Sequence, residues 1–486
     1  MPPDASGPRL NPIHPDFPVT DAVKKLLPWL VAVAFFMEAL DTTILNTAVP
    51  AMAAALHVAP LSMKAVLSSY TLAVAVFIPL SSWMADRFGT RHVFSAAIAL
   101  FTLGSALCGL SQGIHTLVLC RVIQGCGGAM MVPVGRLTLV RAIDKAGLVR
   151  AMSFVAIPTL VGPMLGPVIG GFLVTWASWR MIFFVNLPIG LLGLYLVRRH
   201  LPDYLAEARP SLDLVGLILF GAGIALLSYV LEVFGEHSLD AREIAGLLGL
   251  SLLLLLGYGL HARSLAQPLL DLTLFRIRTF RASTLGNLIT RLGAGGLPFL
   301  LPLLYQVGLG YSPIHSGLLL MPQALAAFAF KMTMPPILRR FGYRRVLLAN
   351  TLAIGASIAG FALVGQGSPD WAIVLLAAAF GYASSLQFTS MNTLVYANVA
   401  EERTGMASTI LSSVQQLAIS FGVAGASLLT ALFIPDRFHA SPAELLHGLR
   451  CCFVLLGAWT MLSALVFRPL RPGDGDALSL HGHPAE

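Results

Sequence analysis

Charged side chains are scarce in this sequence. Asp, Glu, Lys and Arg together make up 11% of its 486 residues, whereas soluble domains carry about 25%. Hydrophobic residues make up 56% of the chain, and its mean hydropathy is +0.79. A chain of this composition has too few polar groups to cover a folded surface in water. The class of soluble globular proteins is therefore excluded, and lipid is the solvent we expect.

Several features of enzymes and pumps are also missing. The five cysteines are odd in number and their spacing fits no metal site, so we expect them to be small apolar packing residues. No GxxxxGK[ST] phosphate loop occurs, which argues against ATP-driven transport by this chain. No nucleophile–base pair or cluster of metal ligands is visible in the sequence. We therefore predict that the chain is not an enzyme and uses no cofactor.

Long apolar stretches dominate what is present. A membrane-spanning helix needs ~20 mostly apolar residues to cross ~30 Å of hydrocarbon. A sliding hydropathy window predicts fourteen spans and hence an all-α integral membrane protein. The predicted spans cover residues 28–50, 62–84, 93–112, 115–140, 150–175, 179–198, 212–234, 242–261, 281–306, 313–338, 345–365, 371–396, 405–432 and 447–468.

The basic residues are distributed unevenly between the two sides of these spans. If the N-terminus is cytoplasmic, 22 Lys and Arg fall in cytoplasmic segments and five on the other side. This is the positive-inside bias of membrane proteins, and it predicts that both termini are cytoplasmic. We expect a multi-pass protein of a bacterial inner membrane. Because the positive charge follows the loops of one side, we do not expect nucleic acid as a partner.

Two short loops of similar sequence divide the chain into repeats. Residues 86–92 (DRFGTRH) follow the second span and residues 339–345 (RRFGYRR) follow the tenth. Aligning them pairs spans 1–6 with spans 9–14, an architecture known in secondary transporters. We predict a six-helix bundle at 1–206 with its N-terminal tail, a two-helix insert at 207–265 outside the transport core, a second bundle at 266–470, and a cytoplasmic tail at 471–486.

Charges inside predicted spans are costly and are candidates for function. Glu38 and Asp41 lie on one face of span 1, and Arg121 lies in span 4. At 1.5 Å per residue, Asp41 is ~13 Å and Arg121 ~9 Å below the predicted outer ends of their helices, so the two can pair. Such a pair can be a proton switch, because protonation of the carboxylate breaks it, or a permanent clamp between helices. The sequence leaves both open.

Other polar residues within spans are candidates for binding a substrate. Arg291 lies near the middle of span 9, just before Gly293 to Pro298 (GAGGLP), which predicts a break in the helix. Lys331 lies ~12 Å inside span 10, where it can face a substrate or extend toward the interface. The predicted substrate-binding residues are Gln124, Arg291, Lys331, Gln387 and Asn392.

Five stretches together resemble the fourteen-helix drug:proton antiporters of the major facilitator superfamily, of the EmrB/QacA type and similar to its MdtD-like members. Leu40 to Pro50 (LDTTILNTAVP) is similar to the first-helix motif, and Asp86 to Arg91 (DRFGTR) to the loop motif. Arg121 to Gly125 (RVIQG) is similar to the fourth-helix motif and Gly162 to Gly171 (GPMLGPVIGG) to the antiporter motif of the fifth helix. Ser178 to Gly190 (SWRMIFFVNLPIG) resembles the stretch that enters helix six. One departure is Ser82-Trp83, where the loop motif often begins with Gly.

The resemblance implies roles for specific residues. Asp41 and Arg121 would belong to the proton-coupling apparatus, and we add Glu38 because it shares a helix face with Asp41. The loop motif would form a cytoplasmic latch that stabilises one access state, and the fifth helix would be a slender helix that its neighbours slide against or simply pack on. The predicted gating residues are Asp86, Arg87, Gly89, Arg91, Gly162, Pro163, Gly166, Pro167, Gly170, Gly171 and Arg344.

The sequence thus predicts a proton-coupled antiporter that exports amphiphilic drugs by alternating access. The buried cations Arg291 and Lys331 support an alternative, the export of a small organic anion such as a metabolite or chelator. A third hypothesis is a membrane receptor that does not transport, although no signalling domain is attached. The expected partners are the lipid bilayer, protons and a small molecule. The sequence leaves open whether a periplasmic adaptor takes part.

Overall fold

The computed structural model describes residues 21–143, 145–205, 212–233, 240–265, 268–400, 403–434 and 442–475. These residues form helices and connections, with no β-strand among them. The α-helices are α1 (Asp21–Ala55), α2 (Lys64–Phe77), α3 (Leu80–Phe88), α4 (Thr90–Leu110), α5 (Ile114–Ala142), α6 (Lys145–Trp176), α7 (Met181–Phe184), α8 (Asn186–His200), α9 (Leu214–Val233), α10 (Ala241–Ser264), α11 (Arg278–Ala294), α12 (Leu297–Pro302), α13 (Pro313–Gly360), α14 (Asp370–Leu394), α15 (Thr404–Phe433) and α16 (Pro442–Leu462).

The predicted spans coincide with these helices. Within the described ranges, twelve helical segments are long and apolar enough to cross a membrane. Two shorter apolar segments, Val161–Trp176 and Pro313–Ala329, stand at the places of predicted spans five and ten. The predicted break in span 9 is confirmed, because α11 ends at Ala294 and α12 begins at Leu297, followed by a π-helical turn, Leu303–Gly308.

Two boundaries differ from the prediction, each for a local reason. Predicted span 2 is interrupted between α2 and α3 at Ile78 and Pro79, because proline cannot donate a helical hydrogen bond. Spans 10 and 11 are continuous in α13, which kinks at Gly342 with φ of 70° and ψ of 160°. Gly89 between α3 and α4 has φ of 88°. Both loop motifs thus turn on a glycine in a conformation that other residues rarely adopt.

Helices α1–α8 form one bundle, the N-half, and helices α11–α16 form the other, the C-half. The two halves meet along two seams, one between α2 and α15 and one between α6 and α13. The end of the molecule that carries residues 86–92 and 339–345 is called the loop end here, and the other is the opposite end. A seam of this kind lets two bundles rotate against each other with little change inside either one.

The apolar core differs between the two ends. At the opposite end, one cluster contains residues of both halves, among them Val49 and Leu67 of the N-half and Leu300 and Phe361 of the C-half. Toward the loop end, each half has its own cluster, one between residues 27 and 201 and one between residues 282 and 470. A third cluster near the loop end joins Ala75 of α2 to the insert helices and to Ala407 of α15. The halves therefore share one broad core at the opposite end, whereas at the loop end they have separate cores that are joined along the side of the insert.

The two insert helices lie beside one seam. Helix α9 packs against both α2 and α15, and α10 packs against α9. Their loop-end tips are joined by Asp213, whose carboxylate accepts hydrogen bonds from His261 (2.8 Å) and from the backbone N–H groups of Gly216 (2.7 Å) and Leu269 (3.2 Å). Burial alone would raise the pKa of the Asp213 carboxyl, but these hydrogen bonds lower it below its ordinary value. The insert thus contacts both halves from the side.

Candidate functional site

A buried carboxylate in α1 is the centre of a polar cluster in the N-half. Asp41 is 1% exposed. Its Oδ2 accepts a hydrogen bond from Arg121 Nη1 at 2.7 Å, and its Oδ1 accepts from Gln124 Nε2 at 2.8 Å and from Asn186 Nδ2 at 2.9 Å. The predicted pairing of Asp41 with Arg121 is confirmed. A carboxylate in this apolar position needs partners that compensate its charge, and three donors from α5 and α8 supply them.

The guanidinium of Arg121 is held from several sides. Its Nη1 also donates to Gln124 Oε1 at 2.8 Å, and its Nε donates to the carbonyl of Val66 in α2 at 3.4 Å. The ring of Tyr70 lies 4.4 Å from the guanidinium carbon, within the range of a cation–π contact. Because Arg121 contacts α1 and α2 from α5, a change in the charge of its partner would alter the contacts between all three helices.

Asn186 was not singled out as a site residue in the sequence. It stands at the start of α8, completely buried, and its Nδ2 also donates to Ser105 Oγ in α4 at 3.0 Å. An Asn inside an otherwise apolar span is a signal that could have identified it, because such a residue needs partners in lipid. Tyr70 was missed as well, since an aromatic ring in a span is usually only a packing residue.

A cavity of about 320 Å³ lies between the two halves, directly beside this cluster. Its wall comes from α1, α2 and α5 on one side, and from α12, the break before it and α15 on the other. This is near the lower end of the size of small-molecule sites in proteins. The lining residues are Phe35, Glu38, Ala39, Thr42, Thr43, Asn46, Leu67, Tyr70, Thr71, Arg121, Val132, Gly295, Pro298, Gln416, Ile419 and Val423.

Glu38 lies on the cavity wall, one helical turn from Asp41 toward the loop end. Its Oε2 is buried and has no hydrogen-bond partner among the described residues. The two acidic residues of α1 therefore differ: Asp41 is enclosed by donors, whereas Glu38 has an oxygen without one. Arg136 of α5 lies nearby but is exposed, with its guanidinium 5.8 Å from the ring of Phe35.

The C-half holds a polar cluster around Arg291. Its guanidinium lies 3.7 Å from the centre of the Phe388 ring, and its Nε donates to Asn287 Oδ1 at 3.2 Å. Asn392 Oδ1 accepts from Asn287 at 3.4 Å and from Gln415 at 2.7 Å. No described carboxylate lies within ion-pair distance of Arg291. Arg291 and Asn392, both predicted from the sequence, are brought into one cluster.

The other predicted substrate-binding residues are placed differently. Gln124 belongs to the Asp41 cluster. Gln387 is completely buried and bonded within the C-half, where its Nε2 donates to Thr351 Oγ1 at 2.7 Å and its Oε1 accepts from Asn350 at 3.1 Å. It does not line the described cavity. The side chain of Lys331 lies outside the described residues.

The glycines of α6 are positioned by two neighbours. Gly162, Gly166 and Gly170 face α1, where a side chain on any of them would collide with α1 atoms. The fit is close enough for Thr43 Oγ1 to donate to the carbonyl of Gly162 at 3.3 Å. Gly171 instead faces the start of α13 across the seam. The predicted close packing of this helix is thus present on both sides, and Pro163 and Pro167 lie within it.

The loop motif makes its ion pair inside the N-half. Asp86 Oδ1 lies 2.5 Å from Arg141 Nη2 of α5. The backbone N–H of Arg91 donates to Asp203 at 3.0 Å, and a side chain on Gly89 would collide with this carboxylate. Arg87 is exposed at this end. In the C-half, Arg344 is half-buried and its Nε has no hydrogen-bond partner among the described residues.

Two helical bundles with a cavity between them and a buried ion pair beside it are typical of a secondary membrane transporter. Sequence comparison agrees: the family described as Major Facilitator Superfamily matches residues 31–422 and, a second time, residues 283–482. The chain belongs to this superfamily. It is therefore a multi-span transporter and not an enzyme, as the sequence predicted.

Among its relatives, the chain is similar to "Putative multidrug resistance protein MdtD" of Pectobacterium atrosepticum, with 41% identity over 446 residues, covering 91% of this chain and 95% of the relative. The protein of the same name in Klebsiella pneumoniae is 41% identical over 439 residues, with 90% and 93% covered. These matches confirm the resemblance to MdtD-like proteins.

Solved structures show the same fold at low sequence identity. The nucleoside transporter NupG is 14% identical, with a TM-score of 0.65 over 92% of this chain and 99% of that one. A D-xylose-proton symporter is 15% identical, with a TM-score of 0.63 over 92% and 97%. At this identity the likeness concerns the arrangement of helices alone.

Proposed function

We propose that this chain is a proton-coupled secondary exporter of amphiphilic drugs that works by alternating access. The family and the multidrug-resistance name of the MdtD relatives support drug export. The buried Asp41–Arg121 pair, whose arginine lines the cavity, is the observation that carries proton coupling, since a membrane carboxylate that can change its charge needs such a partner. The energy would come from the proton gradient, so no cofactor is needed.

Protonation of Asp41 would change the balance of this cluster. The neutral acid no longer compensates Arg121, and a buried cation without its partner is strongly unfavourable. Arg121 lies on α5 and contacts α1 and α2. A rearrangement of these three helices that compensates the cation again would therefore lower the free energy of the protein. Loss of the proton would restore the pair. The switch reading of Asp41 and Arg121 is the one we adopt, and Glu38 stays a further candidate for the coupling apparatus.

The packing of the two halves supports an assignment of the access state. The positive-inside distribution of basic residues supports an orientation in which the loop end and both termini lie in the cytoplasm of a bacterium, with the chain in its inner membrane. The shared apolar cluster would then close the periplasmic end. The separate cores at the cytoplasmic end, which are joined only along the side of the insert in the described residues, would leave room there to admit cargo. The latch of Asp86, Arg87, Gly89 and Arg91 makes no described ion pair with the C-half, which agrees with an open cytoplasmic end.

The direct test is transport by purified protein in proteoliposomes. An imposed pH gradient should drive export of an amphiphilic drug by the wild type and not by Asp41→Asn, which keeps the shape of the side chain. Binding of the drug without a gradient should persist in this variant. Asp240→Asn, at the exposed start of α10, is the matched control and should transport normally. Undiminished gradient-driven export by Asp41→Asn would remove Asp41 from the mechanism.

A second candidate is the export of a small organic anion, such as a carboxylate metabolite or chelator. Arg291 supports it, because a half-buried guanidinium whose described neighbours are neutral can receive a carboxylate from a ligand. Gln415 and Asn392 would add neutral donors. Arg291→Ala should then abolish export of anions and leave export of cationic dyes unchanged. Equal export of both classes by this variant would eliminate the candidate.

A further inference from the structure

We propose that Glu38 is the residue of this transporter that selects cationic cargo. The inference rests on the proposed function and adds to it the chemical class of the cargo and the group that recognises it. It also assigns different roles to the two carboxylates of α1: Asp41 would bind the proton, and Glu38 would bind the cargo.

The geometry excludes Asp41 from direct contact with cargo. Its two oxygens accept three hydrogen bonds from Arg121, Gln124 and Asn186, and its side chain is 1% exposed. A ligand in the cavity would have to displace at least one of these donors to reach it. Asp41 is also not among the residues that line the cavity.

Glu38 has the opposite environment. It lines the cavity, and its buried Oε2 accepts no hydrogen bond from any described residue. A buried carboxylate oxygen without a donor is costly, and a cation placed in the cavity would remove that cost. Arg121 is the other charged lining residue, and its charge is already compensated by Asp41. The charge that the cavity offers to a ligand is therefore that of Glu38.

The remaining wall suits the body of an organic cation. The rings of Phe35 and Tyr70 line the same cavity, and aromatic faces attract cations that are shielded from water. The other walls are mainly aliphatic, with the Asn46 and Gln416 amides and threonine hydroxyls between them. A volume of about 320 Å³ sets an upper limit on the part of a ligand that is enclosed. The cargo best matched to this site is a compact monovalent cation with an apolar or aromatic body.

Equilibrium binding to the purified full-length protein tests this without a proton gradient. Ethidium serves as the cationic probe and Nile red as the uncharged one, each followed by its fluorescence. Glu38→Gln should weaken ethidium binding about tenfold or more and change Nile red binding by less than about twofold, because one charge partner is lost and the shape is kept. Glu38→Asp keeps the charge and should recover most of the ethidium affinity. Glu243→Gln on α10 is the matched control.

Three outcomes would overturn the proposal. Ethidium affinity could be unchanged in Glu38→Gln, both probes could weaken equally, or the wild type could prefer an anionic dye to ethidium. Each of these is separable from the proposed function. Gradient-driven export is measured in proteoliposomes, so a wild type that binds ethidium but does not export it would refute the exporter and leave the role of Glu38 in binding intact.

Discussion

The two halves of this transporter share an architecture and differ in the charge of their buried groups. In the N-half, Asp41 and Arg121 form an ion pair that neutral amides complete. In the C-half, the network around Gln387 consists of uncharged groups, and Arg291 is surrounded by a ring and neutral amides. The contrast also holds for equivalent positions of the two repeats. The loop-motif glycines Gly89 and Gly342 are 253 positions apart, and Glu38 and Arg291 are separated by the same 253 positions.

This difference shows that a repeated scaffold does not imply repeated chemistry. Equivalent places on α1 and α11 carry an acid in one half and a base in the other. A buried ion pair is sensitive to the loss of either partner, whereas a neutral hydrogen-bonded network loses only part of its stabilisation. Under the proposed function, the N-half would respond to a proton, whereas the buried network of the C-half would keep its charge unchanged. The following predictions test this contrast, from the largest effect to the smallest.

The largest expected effect is on stability when one partner of the ion pair is removed. Arg121→Met should lower the free energy of unfolding by about 3–5 kcal/mol, because Asp41 is left buried without its cation. The matched change in the C-half, Gln387→Leu, should cost about 1–3 kcal/mol. Thermal unfolding in detergent compares the two. Adding Asp41→Leu to Arg121→Met should recover much of the loss. Equal costs for both single variants would contradict the contrast.

The second effect concerns the cation of the C-half. Arg291→Met should change the free energy of unfolding by no more than about 1 kcal/mol, because the substitution keeps an apolar contact with Phe388 and breaks no ion pair. The same unfolding measurement applies, with Arg121→Met as the reference. A loss as large as that of Arg121→Met would mean that Arg291 has an acidic partner.

The smallest effect concerns the segments that close each half at the loop end. Asp203 accepts from the backbone of Arg91 and lies 2.6 Å from His92 Nδ1, and Asp474 lies 2.6 Å from Arg278 Nη2. Each is a partly exposed pair, so Asp203→Asn and Asp474→Asn should each cost about 1 kcal/mol or less in free energy of unfolding. Thermal unfolding of each variant beside the wild type measures this.

The contribution of Asp474 should depend on pH. Burial alone would raise the pKa of its carboxyl, but the hydrogen bonds from Arg278 and from the backbone N–H of Arg471 lower it below the ordinary 3.8. Stabilisation is then fully present above pH 3.8 and is lost as the pH falls through the lowered pKa of the folded state. The difference in thermal midpoint between wild type and Asp474→Asn should shrink in that range. A difference that grows on acidification would refute this account.

The sequence predicted the helices well because a bilayer leaves the backbone few choices. Apolar length alone located the twelve segments that are long enough to cross a membrane and the two shorter apolar segments in the described residues, and Gly293 to Pro298 located the break between α11 and α12. The kink at Gly342 joins spans 10 and 11 into one helix, which hydropathy does not report because it measures composition and not backbone dihedrals. The contact of α9 with both α2 and α15 could not be predicted either, because hydrophobic periodicity does not show which helices pack against each other.

The site was predictable where a charge had to be buried. Counting residues along α1 and α5 placed Asp41 and Arg121 at similar depths, ~13 and ~9 Å below the predicted outer ends of their helices, so that the two charges could compensate each other. The third donor, Asn186, comes from a helix 145 residues away in sequence, and depth alone did not select it. The difference between Asp41 and Glu38 was hidden because the two share a helix face. Only the positions of α5 and α8 show which carboxylate is enclosed.

The apolar cluster that both halves share at the opposite end has a consequence for its tolerance of substitution. Lipid tails are as apolar as these side chains, so contacts of this kind within a bilayer are stabilised by close packing and not by the release of water. Truncating a buried side chain where the halves meet in this cluster should therefore loosen the contact between the halves, because packed atoms are lost, and shift the resting protein away from the state described here.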